Sequence, residues 1–136
     1  MLLLVSLIAT WYLIGLCWFV QAVAYPQFGR VAVADFAVYH KAHTTFIAPV
    51  VLPMMVLELG TAVALVVRSP GDWALRAALL LVIVVWVNTF AMAVPAHGRL
   101  SRGHDAVVIR RLVRVNWIRT LAWTARGLLL LWKAAG

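Results

Sequence analysis

Residues 2–24 read LLLVSLIATWYLIGLCWFVQAVA, a run without one charged side chain. Crossing the hydrocarbon of a bilayer takes ~20 consecutive apolar residues in a helix, and this run has that length. It reads as a first membrane-spanning helix. A cleaved signal peptide is the competing reading, because Ala22-Val23-Ala24 has the small-x-small form of a cleavage site. Against it, no Lys or Arg precedes the apolar stretch, and the stretch is too long for a signal sequence. Tyr25-Pro26-Gln27-Phe28-Gly29-Arg30 should then break the helix, since proline lacks a donor and glycine frees the backbone.

Beyond this run, the same signals recur three times. From Val31 the pattern is amphipathic through Asp35, His40, Lys41 and His43, then uncharged from Thr44 to Leu57. This predicts a second helix over about residues 33–67, kinked at Pro49 and Pro53, which membranes tolerate where neighbouring helices satisfy the freed carbonyls. Arg68-Ser69-Pro70-Gly71-Asp72 is a turn cluster, with Asp72 placed to cap the third helix. That helix covers 73–95 and closes at Pro95. After a polar loop from His97 to Asp105, again with a capping aspartate at its end, a fourth helix is predicted over 106–132. The expected fold is all-α, one domain built as a four-transmembrane-helix bundle. No internal repeat, low-complexity tract or linker is read in the chain.

Composition agrees with lipid as the solvent. Hydrophobic residues make up 65% of the 136 and charged ones 12%, against roughly half and a quarter in soluble domains. Twelve Lys and Arg against four Asp and Glu give a net charge of +8. These cations sit between or beside the apolar segments, as topogenic loops have them, and no soluble face collects enough of them to follow a phosphate backbone. Nucleic acid is therefore not an expected partner, and the lipid bilayer is. One side carries Arg30, Lys41, Arg99, Arg102, Arg110, Arg111 and Arg114, the other Arg68, Arg76 and Lys133. The cation rule places the first side in the cytoplasm and both termini outside, in a multi-pass protein of a bacterial inner (plasma) membrane. Cys17 is the only cysteine, which excludes an internal disulfide and leaves packing as its role.

Polar groups inside such a bundle are expensive, so they turn inward and take partners. Counted by helical rise, Glu58 and Arg126 fall at one depth, and Asn88 and Arg119 at a shallower one. Asn116, Arg119, Trp123 and Arg126 share a face of the fourth helix by steps of three and four. A buried ion pair and an interhelical hydrogen bond are one reading of these groups; a ligand site is the other. Near the cytoplasmic rim, His40, His43 and His97 form a second cluster that could take a proton or, with a third ligand, a divalent metal. Haem is disfavoured by depth, because its histidines would have to face each other in the core. Trp18, Trp73 and Trp132 fit an aromatic belt, whereas Trp117 and Trp123 lie deeper among the arginines.

Asn88-Thr89-Phe90, Val94-Pro95-Ala96-His97-Gly98-Arg99-Leu100, Asn116-Trp117-Ile118-Arg119-Thr120 and Trp123-Thr124-Ala125-Arg126 together resemble small four-helix bacterial membrane proteins of unknown function. They are loosely similar to the anthrone-oxygenase-like membrane family, in which a Pro-x-Asn-x-x-Leu motif follows the third helix and a Trp and an Arg lie on the fourth. His97 stands here where that pattern has Asn. The resemblance implies cofactor-free oxygenation of a polycyclic aromatic, begun by deprotonation of a phenolic carbon acid.

The resulting expectation is a membrane-embedded binder or enzyme for a small lipophilic, aromatic molecule near the cytoplasmic face. His43 or His97 would act as base or ligand, Arg119 would steady an anion, and His40, Asn88, Asn116, Trp117, Glu58 and Arg126 would complete the binding site. No cofactor is required, with a divalent metal at His40, His43 and His97 left open. The alternative is a non-catalytic subunit of a membrane complex or a small metal or ion transporter, and a homo-oligomer is compatible with either.

Overall fold

The computed structural model describes residues 1–136, helical throughout except for short loops. Four long helices run Leu2–Phe28 (α1), Phe36–Arg68 (α2), Trp73–Leu100 (α3) and Ala106–Ala135 (α4). The first three are long and apolar enough to cross a membrane. The fourth does not meet that description, because Arg110, Arg111, Arg114, Arg119 and Arg126 are strung along it. Asp72 and Asp105 begin α3 and α4 as their positions foretell. Asp72 Oδ1 accepts from the backbone N–H groups of Ala74 and Leu75 at 2.9 and 3.2 Å. Asp105 Oδ1 accepts from Val107 and Val108 at 2.8 and 3.0 Å, satisfying donors that the first helical turn leaves free. Gly103, at φ 143°, takes the backbone conformation that turns the chain into α4.

Two helix ends differ from expectation, and both differences arise at a proline. Pro26 does not end α1, nor Pro95 α3. In each helix a wide π turn precedes the proline, Val20–Ala24 in α1 and Thr89–Ala93 in α3. Tyr25 N–H reaches back to the Val20 carbonyl and Val94 N–H to the Thr89 carbonyl, five residues rather than four. The widened turn makes room for the pyrrolidine ring where a regular helix would clash. The helices then continue to Phe28 and Leu100.

These two wide turns expose a repeat that the hydrophobic background hides. Val20–Ala24 and Thr89–Ala93 lie 69 positions apart, and at the same offset Ala22, Ala24, Pro26, Gly29 and Arg30 match Ala91, Ala93, Pro95, Gly98 and Arg99. The chain is two helical hairpins, α1–α2 and α3–α4, sharing one local device. The expectation of no internal repeat is thereby corrected.

Consecutive helices pack side by side and α4 closes the ring against α1, leaving α1 opposite α3 and α2 opposite α4. α2 continues unbroken through Pro49 and Pro53, and the Tyr12 hydroxyl of α1 donates to the Val50 carbonyl beside them at 3.4 Å. Inside, three apolar layers stack along the axis. Phe28, Phe36, Leu100 and Leu112 fill the end bearing the first and third loops. Leu13, Met55, Val85 and Trp123 fill the middle, and Leu75, Ala78 and Leu130 the far end. The outer faces are also apolar, with Ile8, Phe46, Val56, Leu80, Val87 and Leu128 all exposed. An exterior of this kind is what a hydrocarbon surrounding selects.

Candidate functional site

A cavity of about 260 Å³ opens between the first and second apolar layers, and all four helices line it. Its walls are mostly aliphatic, from Leu13, Leu16, Ile47, Val51 and Met55. Into them project Tyr25, His43, His97, Asn116, Arg119 and Trp123. An apolar hollow with a few convergent polar groups is the usual form of a small-molecule site.

The wide turns position much of the polar set. Downstream of the α1 turn Tyr25 faces inward, and downstream of the α3 turn His97 does so. Tyr25 Oη and His97 Nε2 are 3.0 Å apart, and His97 Nδ1 lies 3.0 Å from His40 Nε2. Both ring nitrogens of His97 are thus engaged in one chain from cavity to core. If Tyr25 donates to Nε2, the His97 proton sits on Nδ1 and points to His40; if His40 donates, it sits on Nε2 and points to Tyr25. His40 is fully buried and its Nδ1 has no partner. His43 lines the cavity, its ring edge-on to Phe28 at 5.0 Å and 6.3 Å from the His97 ring. The three histidines converge as expected, but two of them spend nitrogens on each other. No three His, Cys, Asp or Glu side chains are arranged to share a metal ion.

On α4, Asn116 is tied down: its Nδ2 donates to Gln21 Oε1 at 2.8 Å, and Gln21 Nε2 donates to the Val113 carbonyl at 3.3 Å. Cys17 Sγ approaches Thr120 Oγ1 at 3.2 Å. Arg119 stands differently. Its guanidinium carbon lies 5.2 Å from the centroid of the Trp123 ring, a cation–π distance, and its buried Nε has no hydrogen-bond partner. No carboxylate pairs with it.

Below the cavity, Glu58 and Arg126 meet as their shared depth requires. Arg126 Nη1 donates to Glu58 Oε1 at 3.0 Å and Nη2 to Ser6 Oγ at 2.9 Å. Trp123 Nε1 donates to Glu58 Oε2 at 2.8 Å, and Thr10 Oγ1 lies 3.0 Å from Oε1. Neither charge lines the cavity; the pair forms its polar underpinning.

Two other expected site residues also lie away from the cavity, and His40 reaches it only through His97. Asn88 does not meet Arg119: its Nδ2 approaches Met92 Sδ at 3.7 Å, its Oδ1 is unpartnered, and it borders a shallow outer groove beside Ile118. Thr89, the next residue, faces the cavity instead. Trp117 is 41% exposed and packs edge-on against Trp18 at 5.5 Å. One residue along a helix rotates the side chain by about 100°, which carries Trp117 away from the face of Asn116, and Trp123 provides the aromatic wall. Depth counting gives height in a bundle but not azimuth. Ser6, Thr10, Gln21 and Tyr25 escaped sequence reasoning altogether. With Cys17 they fall at helical spacing on one stripe of α1, the only polar stripe in an otherwise uncharged run.

No protein-family model matches the chain, and no curated protein or solved structure matches it either.

Proposed function

We propose that this chain lies across a bilayer as a four-span bundle and holds a small lipophilic molecule in its central cavity, as a binding protein or an enzyme. The apolar outer faces and three long apolar helices support the membrane setting. α4 joins them because Arg126 is paired inside, Arg119 turns inward, and Arg110, Arg111 and Arg114 lie in its first turns, within reach of the interface. The excess of cations around the first and third loops supports a cavity in the cytoplasmic half, with both termini outside a bacterial plasma membrane.

The observation that carries the reading is the cavity itself: aliphatic walls and an aromatic side at Trp123, with Tyr25, His43, His97 and Arg119 converging on one volume. In the enzymatic version, a neutral His43 takes a proton from a carbon acid, and the pair of electrons left behind becomes an anion beside Arg119. The Tyr25 and His97 rings stand beside that base, 6.2 and 6.3 Å from the His43 ring.

Native mass spectrometry of the protein released from mild detergent tests the binding reading. A stoichiometric adduct of a few hundred daltons should accompany the wild-type chain and vanish in Ala48→Phe, which fills the cavity from α2. An adduct that persists in this variant, or a wild-type chain that takes up no aromatic probe at all, would refute it.

A further inference from the structure

We infer that the cavity selects an organic monoanion, a small carboxylate with an apolar body, whose charge is met by Arg119; this rests on the proposed function and names its ligand class. Interior charge decides the sign of the ligand. The chain has four acidic residues. Asp35, Asp72 and Asp105 stand at the N-caps of α2, α3 and α4, outside the helix bodies. Glu58 is the one carboxylate inside the bundle, and Arg126, Trp123 and Thr10 surround it. Arg119 is therefore a cation on the cavity wall for which the protein supplies no anion.

An unpaired guanidinium in a hydrocarbon setting is costly, and such groups mark the path or seat of a charged ligand. Its surroundings favour an anion over water alone. Trp123 covers one face of the guanidinium, the side chain lines the cavity, and a guanidinium meets a carboxylate through charge-assisted N–H donors. The apolar walls at Leu13, Val51 and Met55 suit the rest of such a molecule. Size limits it further. About 260 Å³ lies just under the ~300–1,000 Å³ of drug-sized sites, enough for a fused two-ring aromatic acid and too little for a two-chain lipid. Arg119 also lies fourteen residues past the α4 N-cap, ~21 Å along the axis at 1.5 Å per residue, deeper than a bilayer headgroup descends.

The test compares 2-naphthoate with its uncharged isostere 2-naphthamide by isothermal titration of the full chain in neutral detergent at pH 7.5. Naphthoate should bind at least tenfold more tightly. In Arg119→Gln the ratio of the two affinities should fall to about one, with Arg119→Lys intermediate because a point charge cannot form the same fork. Circular dichroism melts check that each variant is folded. Equal affinities in the wild type, or a ratio that survives Arg119→Gln, would overturn the assignment while leaving the binding function standing. Binding of neither probe would sink both. Displacement of naphthoate by phosphatidylglycerol added to the micelle would assign Arg119 to a lipid headgroup and likewise overturn the inference.

Discussion

Arg126 on α4 and Glu58 on α2 meet at 3.0 Å, on two helices that face each other across the bundle rather than side by side. The pair spans the centre. Both side chains are fully buried, and Ser6, Thr10 and Trp123 add hydrogen bonds to the pair, while the buried Arg126 Nε has no partner. Removing one partner leaves an uncompensated charge, which costs about 3–5 kcal/mol, whereas replacing both with apolar side chains is often close to neutral. Glu58→Leu and Arg126→Leu should each lower stability to that degree. The double variant should recover most of the loss, as read by SDS-induced unfolding in mixed micelles.

A second ion pair ties the far end. Lys133 Nζ, in the last turn of α4, lies 2.8 Å from Asp72 Oδ2 at the start of α3. The Lys133 ammonium and the N–H groups of Ala74 and Leu75 hold the Asp72 carboxyl below the usual carboxylate range. A depressed pKa contributes stability above the unfolded-state value and loses it as the pH falls through the folded one. Asp72→Asn keeps an effective cap but removes the charge. It should melt below the wild type at pH 7, with the gap closing as the pH is lowered past about 4. Asp72→Ala should melt lower still.

Gly127 lies where α4 packs against Trp11 and Ile14 of α1. A Cβ there would stand 2.5 Å from Ile14 Cδ1 and 3.4 Å from the Trp11 ring. The first obstacle is the end of a flexible side chain, and alanine also favours the helix by ~1 kcal/mol over glycine. Gly127→Ala should therefore leave the melting temperature nearly unchanged. Gly127→Leu should destabilise by about 1–3 kcal/mol, the usual effect of overpacking. Ile14→Ala in the same chain should relieve part of that loss.

The helices were legible because hydrophobic length and capping aspartates are one-dimensional signals. Asp72 and Asp105 start helices where their positions indicate, and Glu58 and Arg126 pair as depth alone requires. Rotation was the hidden variable. The wide turn after Asn88 turns Thr89 and not Asn88 toward the cavity, and of the neighbours Asn116 and Trp117 only the first faces inward. Prolines misled for a related reason: Pro26 and Pro95 read as stops, but a π turn ahead of each absorbs the ring and carries Tyr25 and His97 to the centre. The repeat that accompanies these turns was present all along, diluted by alanines and valines common to any membrane helix.

At the repeat offset His97 corresponds to Phe28, and both rings lie against His40, Phe28 edge-on at 5.6 Å and His97 stacked at 5.2 Å. A phenyl ring therefore suits the shape of the His97 position, so that His97→Phe isolates the loss of its two hydrogen bonds. That variant strands both the Tyr25 hydroxyl and His40 Nε2, while Tyr25→Phe strands only His97 Nε2. Each unsatisfied buried group costs about 1–3 kcal/mol, and removing both members of a pair costs less than the sum. His97→Phe should thus destabilise more than Tyr25→Phe. The double variant should show a coupling of about 1 kcal/mol in a thermal-unfolding cycle. Strict additivity would mean that the 3.0 Å contact between Tyr25 and His97 carries no stabilising hydrogen bond.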